Sequence, residues 1–507
     1  MHPERKTVLQ IGSATVEEEF FHKLQKHFIE HGLRLTPSAL TQIPSEANSA
    51  CGILIAEMSG KIGFIRSCFE TLSDTAEDSG LAFAVLVPTS DGLGVVERLI
   101  CELRMESRAT VSLTEDAGNA AEYLARWTPG PPLGKPTVLP PGFGLPPRTE
   151  LLLQRSFHDC DRIYLQPLSG GRDASGVFCV HAWLRKSIVG PRPLPFFIKF
   201  STPDKIKGER SNYEDYADFY IPFYLRPNIV PMRCAQVKDL ASLVGNFVEG
   251  AIPLRAALRA CQSPGIIFSL FEISLRGFRS QPASGPTASW DEPLEAFVRE
   301  RVRAAEVEAD TVDLARSSFG LKFTPIEIEN RLCAAIGPVK RNFSPYHGDL
   351  HTGNIMVRGR DAILIDFSAV KKGPLTADPA TLEASLVFGT DAEDDSAEFE
   401  EWKKAVDVIY DGVLIHEPPS LGTGPGPFAW LYMALREIRH VLLGCDCKQE
   451  EAAEVLAAYL LRFGRLPADK FEDKTLSELA RSRRAYALVV AERIVDSLVA
   501  KKGTAAT

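Results

Sequence analysis

Around residue 347 the chain reads Tyr346-His347-Gly348-Asp349-Leu350-His351-Thr352-Gly353-Asn354-Ile355-Met356-Val357, followed by Ala362-Ile363-Leu364-Ile365-Asp366-Phe367. Transfer of a phosphoryl group from ATP needs one carboxylate that orients the attacking hydroxyl and accepts its proton. It also needs an amide oxygen and a second carboxylate to hold the magnesium ions that bridge the phosphates. Asp349, Asn354 and Asp366 supply that set, with Asp349 as the catalytic group and Asn354 and Asp366 as the metal ligands. Three polar types at fixed offsets, separated by two apolar strand-like runs, make the pattern specific.

The Asp-x4-Asn spacing equals that of the protein-kinase catalytic loop, and Asp366-Phe367 follows a hydrophobic strand as the magnesium-binding Asp does there. The His-Gly-Asp opening, in place of His-Arg-Asp, resembles the aminoglycoside phosphotransferase and choline kinase branch of the protein-kinase-like superfamily. The resemblance covers about residues 150 to 390 in motif order. It implies an ATP- and Mg2+-dependent phosphotransferase that moves the γ-phosphoryl group to a hydroxyl of a small-molecule or protein acceptor. The His347–His351 wording and the Asp378–Glu383 segment also resemble kinase-like domains fused to signalling modules in bacterial conflict systems.

The elements that must position these groups lie upstream. Ile163–Leu168 reads as a strand, Ser169 to Gly176 as a glycine turn, and Val177–Leu184 as a second strand. Backbone N–H groups of such a turn approach ATP phosphates without Cβ interference, which nominates Gly170, Gly171, Ser175 and Gly176. The Leu-Ser-Gly-Gly wording is similar to the aminoglycoside phosphotransferase loop. Lys199 sits inside the apolar strand Leu194–Phe200, where a lone cation is costly without a partner. In kinases that partner is phosphate plus a glutamate on the next helix, predicted here over Ile206–Leu225. Glu209 is preferred and Glu214 is its rival. A strand at Ala241–Val248 leads to the position of an adenine-binding hinge, and helices at Leu294–Ser317 and Pro325–Ala335 begin a larger lobe.

His347 and His351 read as loop-holding residues, with imidazoles bonded to backbone carbonyls, rather than as metal ligands. Asp378 either buttresses the catalytic loop or caps a helix. The acidic run Asp391-Ala392-Glu393-Asp394-Asp395 reads as a solvated helix start, with attraction of a cationic substrate as the alternative.

Residues 1–128 alternate strand-like runs (Thr7–Ile11, Leu33–Thr36, Cys51–Ala56, Leu81–Val87, Thr110–Leu113) with amphipathic stretches (Val16–His31, Lys61–Leu72, Gly94–Arg104, Ala117–Trp127). This rhythm predicts a doubly wound parallel α/β domain. In size and order it resembles a response-regulator receiver or another flavodoxin-like domain. The receiver chemistry is missing: Ala56-Glu57 stands where a phospho-accepting Asp belongs, Gly12-Ser13 replaces the acidic pair, and Thr114-Glu115-Asp116 lacks the lysine. Glu57 reads as a surface residue, with imitation of a phosphorylated Asp as the alternative, and the domain as one for docking a protein partner or for sensing.

The Pro/Gly-dense stretch 129–148 excludes helix and central strand and reads as a semi-rigid spacer. The expected architecture is therefore an α/β doubly wound N-terminal domain followed by an α+β bilobal kinase-like domain, with a small lobe over 149–250 and a helical lobe over 251–507. A formal charge of -9 and a pI near 5.7 argue against a nucleic-acid-coating surface. No apolar run approaches the ~20 residues that span a bilayer, and a cytoplasmic setting is expected. The ten cysteines read as buried hydrophobes, including Cys445-Asp446-Cys447, for which no further metal ligands are evident. A second functional class stays open beside the enzyme: a nucleotide-binding pseudokinase acting as the regulatory component of a signalling or conflict-system complex. A protein kinase is less favoured, because no Ala-Pro-Glu signature is recognisable.

Overall fold

The computed structural model describes residues 6–12, 18–106, 108–127, 137–168, 176–185, 190, 192–260, 265–280, 291–338, 340–411, 426–444, 449–466, 471 and 473–505. The chain forms two compact units. One comprises Met1–Gly208 and Asn228–Phe247, the other Glu209–Pro227 and Val248–Thr507. Among the described residues no helix is long and apolar enough to cross a membrane.

The first unit begins with five parallel strands: β1 (Lys6–Gly12), β2 (Leu33–Pro37), β3 (Gly52–Ala56), β4 (Ala82–Val87) and β5 (Ala109–Leu113), in the order β2-β1-β3-β4-β5. Their continuous apolar runs suit a sheet covered on both faces. Leu9, Ile11, Ile53, Ile55, Phe83 and Val85 face the helices Ile62–Ser79 and Ser90–Glu102. Val8, Leu54, Ala84 and Leu86 face Glu18–Glu30 and Ala117–Arg126. These are the expected strands, and the helices match to within a turn except that Ile62–Ser79 runs on past Leu72. Glu57 departs from expectation: it is buried, not on the surface. Its carboxylate accepts from the N–H of Ser59 at 2.7 Å and of Lys61 at 3.4 Å, so it ties down the turn that starts the helix Ile62–Ser79.

The same unit continues with an antiparallel sheet of β6 (Cys160–Pro167), β7 (Val177–Leu184), β8 (Leu194–Ser201), β9 (Ala235–Gln236) and β10 (Ala241–Asn246), ordered β6-β7-β8-β10-β9. The sheet packs on the helix Pro147–Ser156 through Leu152, Leu153, Phe157, Ile163, Phe178 and Ile198.

Residues 137–148 are not a free spacer. Leu139, Phe143 and Leu145 pack on this core, and Val138 exchanges backbone hydrogen bonds with Ile163 and Leu165. Proline and glycine keep 139–146 out of helix and strand without preventing apolar side chains from burying, and contrary to expectation the helix Pro147–Ser156 starts inside the stretch. The parallel and antiparallel sheets are also joined directly. The fully buried Arg155 donates to the carbonyls of Ala50 at 2.9 Å and Ala47 at 3.2 Å. Lys238 donates its backbone N–H to Glu77 at 3.1 Å and pairs with Asp74. The units accordingly divide within the helix Pro203–Asn212 rather than at the Pro/Gly stretch.

The second unit carries two three-stranded sheets, one of β11 (Ile252–Pro253), β14 (Ile355–Arg358) and β15 (Asp361–Leu364), the other of β12 (Asp291–Pro293), β13 (Lys340–Tyr346) and β16 (Lys371–Pro374). Its helical body includes Pro325–Ile336, Ala377–Phe388, Gln449–Arg465 and Lys474–Ala505. Ala377–Phe388 is buried along its whole length. The helix expected over Leu294–Ser317 is two helices, Leu294–Val302 and Ala309–Phe319, because Arg303 adopts a φ of 48° and turns the chain. That expected over Ile206–Leu225 is Pro203–Asn212, then a wider turn at Tyr213–Ala217 and a last piece, Asp218–Tyr220, before Pro222.

Candidate active site

The candidate catalytic segment starts where β13 ends. Gly348 has a φ of 80°, and a Cβ on it would overlap the carbonyl of Ala369. A side chain is thus excluded twice, by conformation and by space, which accounts for glycine between His347 and Asp349. The loop is held from below by Asp378. Its buried carboxylate accepts the backbone N–H of His347 at 2.8 Å and of Gly348 at 3.3 Å. Burial raises the Asp378 pKa, opposed by His347 and these two N–H groups. Asp378 therefore buttresses the loop, and the helix-cap alternative fails, since the cap residue of Ala377–Phe388 is Thr376.

His347 Nε2 lies 3.0 Å from the carbonyl of Ile365, so its imidazole links the loop to the strand that delivers Asp366, in the expected structural role. His351 acts differently. Its Nδ1 accepts from the N–H of Gly353 at 3.1 Å, capping the turn Thr352–Asn354, and its Nε2 lies 3.7 Å from Asp349 Oδ2.

Asn354 Nδ2 donates to the Asp349 carbonyl at 2.9 Å. That bond fixes the orientation of the amide. The N–H of Ile365 donates to the Asn354 carbonyl at 3.0 Å and brings the end of β15 beside the loop. Asp366 follows with a φ of 60°, one of three non-glycine residues with positive φ among those described. Its Oδ1 accepts the N–H of Ser368 at 3.2 Å. A non-glycine residue held in this region stores backbone strain of order 1–3 kcal/mol, which the surroundings must impose. Phe367 supplies the anchor through ring contacts with His347 and Tyr213, at 5.5 and 5.8 Å between centroids. An amide oxygen and a carboxylate on adjacent rigid turns are hard-oxygen ligands, the donor set that suits magnesium.

Asp349 itself is about one-third exposed. Arg462 Nη2 donates to its Oδ1 at 3.1 Å, and the Arg462 side chain is 14% exposed. Arg301 donates to the Gly348 carbonyl and lies 5.6 Å over the Tyr346 ring. Burial lowers the Arg301 pKa, yet Tyr459, Tyr346 and Asp349 outweigh it and hold the guanidinium above its ordinary range. Sequence reasoning missed both arginines. The one available signal was a charge inside the apolar run Val455–Phe463.

The remaining expected residues fall as follows. Gly170, Gly171 and Ser175 lie outside the described residues, as does Cys445-Asp446-Cys447. Gly176 and Lys199 belong to the first unit, and Lys199 sits mid-β8 opposite Val177 and Leu243. Glu209 belongs to the second unit and is buried, whereas its rival Glu214 is half exposed and pairs with Arg210 at 2.7 Å. The acidic run is not a solvated helix start at Asp394, which is buried, and both Asp394 and the partly exposed Asp391 are taken up by arginines. Arg255 and Arg259 meet Asp391 at 3.3 and 3.0 Å, and Arg483 meets Asp394 at 2.8 Å. Burial works against the Asp394 carboxylate, but Arg255 and Arg483 prevail and lower its pKa to about 2. Among the described residues no group of three or more His, Cys, Asp or Glu side chains is arranged to hold a metal ion.

A family model described as Ternary complex associated domain 9 matches residues 299–462. No curated protein matches the chain. Among solved structures, a glucosamine kinase in complex with glucosamine, ADP and inorganic phosphate is 14% identical, with 70% of this chain and 86% of that one covered at a TM-score of 0.34. An amicoumacin kinase in complex with AMP-PNP, Ca2+ and Ami is 12% identical, with 66% and 88% covered at 0.32. A choline kinase from Cryptosporidium parvum Iowa II is 12% identical, with 66% and 91% covered at 0.33.

Proposed function

We propose that the chain is an ATP- and magnesium-dependent phosphotransferase of the aminoglycoside phosphotransferase-like type, acting on a hydroxyl. One observation carries the reading: Asn354 is locked to the Asp349 carbonyl while Asp366 is held at positive φ on the adjoining strand end. A pure scaffold has no use for a strained carboxylate beside an oriented amide and a third, partly exposed carboxylate. Asn354 and Asp366 would hold the magnesium, which when bound neutralises phosphate charge. Asp349 orients the acceptor hydroxyl and takes its proton. The acceptor oxygen bonds to the γ-phosphorus, the bond from that phosphorus to the bridging oxygen breaks, and its electron pair leaves on ADP. Lys199 and Glu209 are assigned to the phosphates by their order along the chain, and Gly170, Gly171, Ser175 and Gly176 by theirs to a phosphate-binding glycine loop.

The strand order of residues 6–127 supports a receiver-like domain without receiver chemistry. The carboxylate at the end of β3 is buried and engaged by the Ser59 and Lys61 N–H groups, which supports docking rather than phosphorylation.

Thermal unfolding with and without magnesium-ATP tests the proposal. Stabilisation is expected in the wild type and lost in Asp366→Ala; equal stabilisation in both removes Asp366 from the site.

A further inference from the structure

We infer that the accepting hydroxyl is carried by an anionic molecule, one with a phosphate or carboxylate near that hydroxyl, and that Arg462 and Arg301 select it. The inference rests on the phosphotransferase reading of Asp349 and deepens it. Two arginines stand at one partly exposed carboxylate, with the His351 imidazole beside them. Arg462 bonds to Asp349 Oδ1 at 3.1 Å, His351 Nε2 stands 3.7 Å from Oδ2, and Arg301 donates to the carbonyl of the preceding residue. Arg301 also lies over the Tyr346 face, and Asp349 is among the groups that favour its charge.

Arg462 is not a latch that swings away. It is largely buried, 5.8 Å over the Tyr459 ring, in the last turn of Gln449–Arg465. The next basic residue of that turn, Arg465, is fixed to Glu306 at 2.6 Å. A guanidinium held in this way is a wall of the site, and its planar fork suits a carboxylate or phosphate.

The acids that would recognise a cation are engaged elsewhere. Glu306 pairs with Arg465, Asp391 and Asp394 with three arginines, and Asp378 lies beneath the loop. Two guanidiniums against the one Asp349 carboxylate leave a local excess of positive charge. An acceptor anion answers that excess, whereas an ammonium acceptor adds to it.

Calorimetric titration of the full chain, loaded with magnesium-ADP to occupy the nucleotide site, tests this with glycerol 3-phosphate, glycerate, glycerol and choline. At least one anion is expected to bind about 10-fold tighter than glycerol, the scale of one charge-assisted hydrogen bond, and choline not to bind. Binding by glycerol 3-phosphate alone identifies a phosphate, and by glycerate alone a carboxylate. Arg462→Gln is expected to remove the preference, and Arg462→Lys, which keeps the charge, to retain part of it; thermal unfolding verifies that both variants fold. Anions binding no tighter than glycerol, choline binding tighter than either anion, or a preference indifferent to Arg462→Gln overturns the inference. Stabilisation by magnesium-ATP is read on the same preparation. Its absence defeats the phosphotransferase reading itself, and its presence with anion-blind binding defeats this inference alone.

Discussion

The carboxylate of Asp378 receives the backbone N–H of His347 at 2.8 Å, so a residue 31 positions downstream sets the height of the candidate catalytic loop. Asn at this position keeps the size but has one acceptor oxygen for two N–H groups. Asp378→Asn is expected to leave magnesium-ATP affinity within about twofold and to lower turnover ~10²-fold, the scale of a small misplacement at the reacting centre. Steady-state kinetics beside ATP titration checks this, since a merely structural residue would shift both together.

Arg155 ties two sheets of one unit together, and its removal leaves the buried carbonyl of Ala50 without this donor, while that of Ala47 keeps the Ala50 N–H at 3.2 Å. Arg155→Ala is expected to cost about 1–3 kcal/mol, the scale of one orphaned buried acceptor. For the same reason a fragment of residues 149–507 is expected to be insoluble or to unfold at lower temperature. A fragment as stable as the full chain contradicts the joint core.

Asp394 is 3% exposed between Arg255, Arg259 and Arg483. Asp394→Asn leaves buried arginines short of a countercharge and is expected to cost ~3–5 kcal/mol. The folded pKa of about 2 lies below the ordinary 3.8, so this contribution is present above pH 3.8 and is lost as pH falls from there through about 2. Acid unfolding of the variant is expected to lack that component.

Glu451 has the opposite sign. Burial outweighs Arg341, 3.1 Å away, and the hydrogen bond from Thr376, and lifts the carboxyl to about 7 from an ordinary 4.5. Its protonated form stabilises the fold below pH 4.5, and that contribution, about 3 kcal/mol at one pKa unit per ~1.4 kcal/mol, is lost as pH rises through 7. Denaturant midpoints at pH 5 and pH 8 are expected to differ more in the wild type than in Glu451→Gln.

Much of the fold was legible because its signals are local. Continuous apolar runs announced β1, β3 and β4, and the fixed offsets among Asp349, Asn354 and Asp366 announced the loop that the structure assembles. What sequence concealed were contacts between distant segments. Nothing near Arg155 indicates that it reaches Ala47 and Ala50, and nothing near Arg462 indicates Asp349, 113 positions away. Glu57 misled for a related reason: a carboxylate at a strand end is ordinarily wet, and only the backbone N–H groups of Ser59 and Lys61 make its burial tolerable. Asp391 and Asp394 misled because their counterions come from segments far away in sequence.

The central claim is that Asp349 takes a proton during phosphoryl transfer. Asp349→Asn keeps the size of the side chain and removes that capacity. ATP affinity and acceptor-dependent ADP release, measured together on wild type and variant, test it most directly. Affinity is expected to change little while release falls ~10²-fold or more. Equal release by wild type and Asp349→Asn, at equal ATP affinity, contradicts the account.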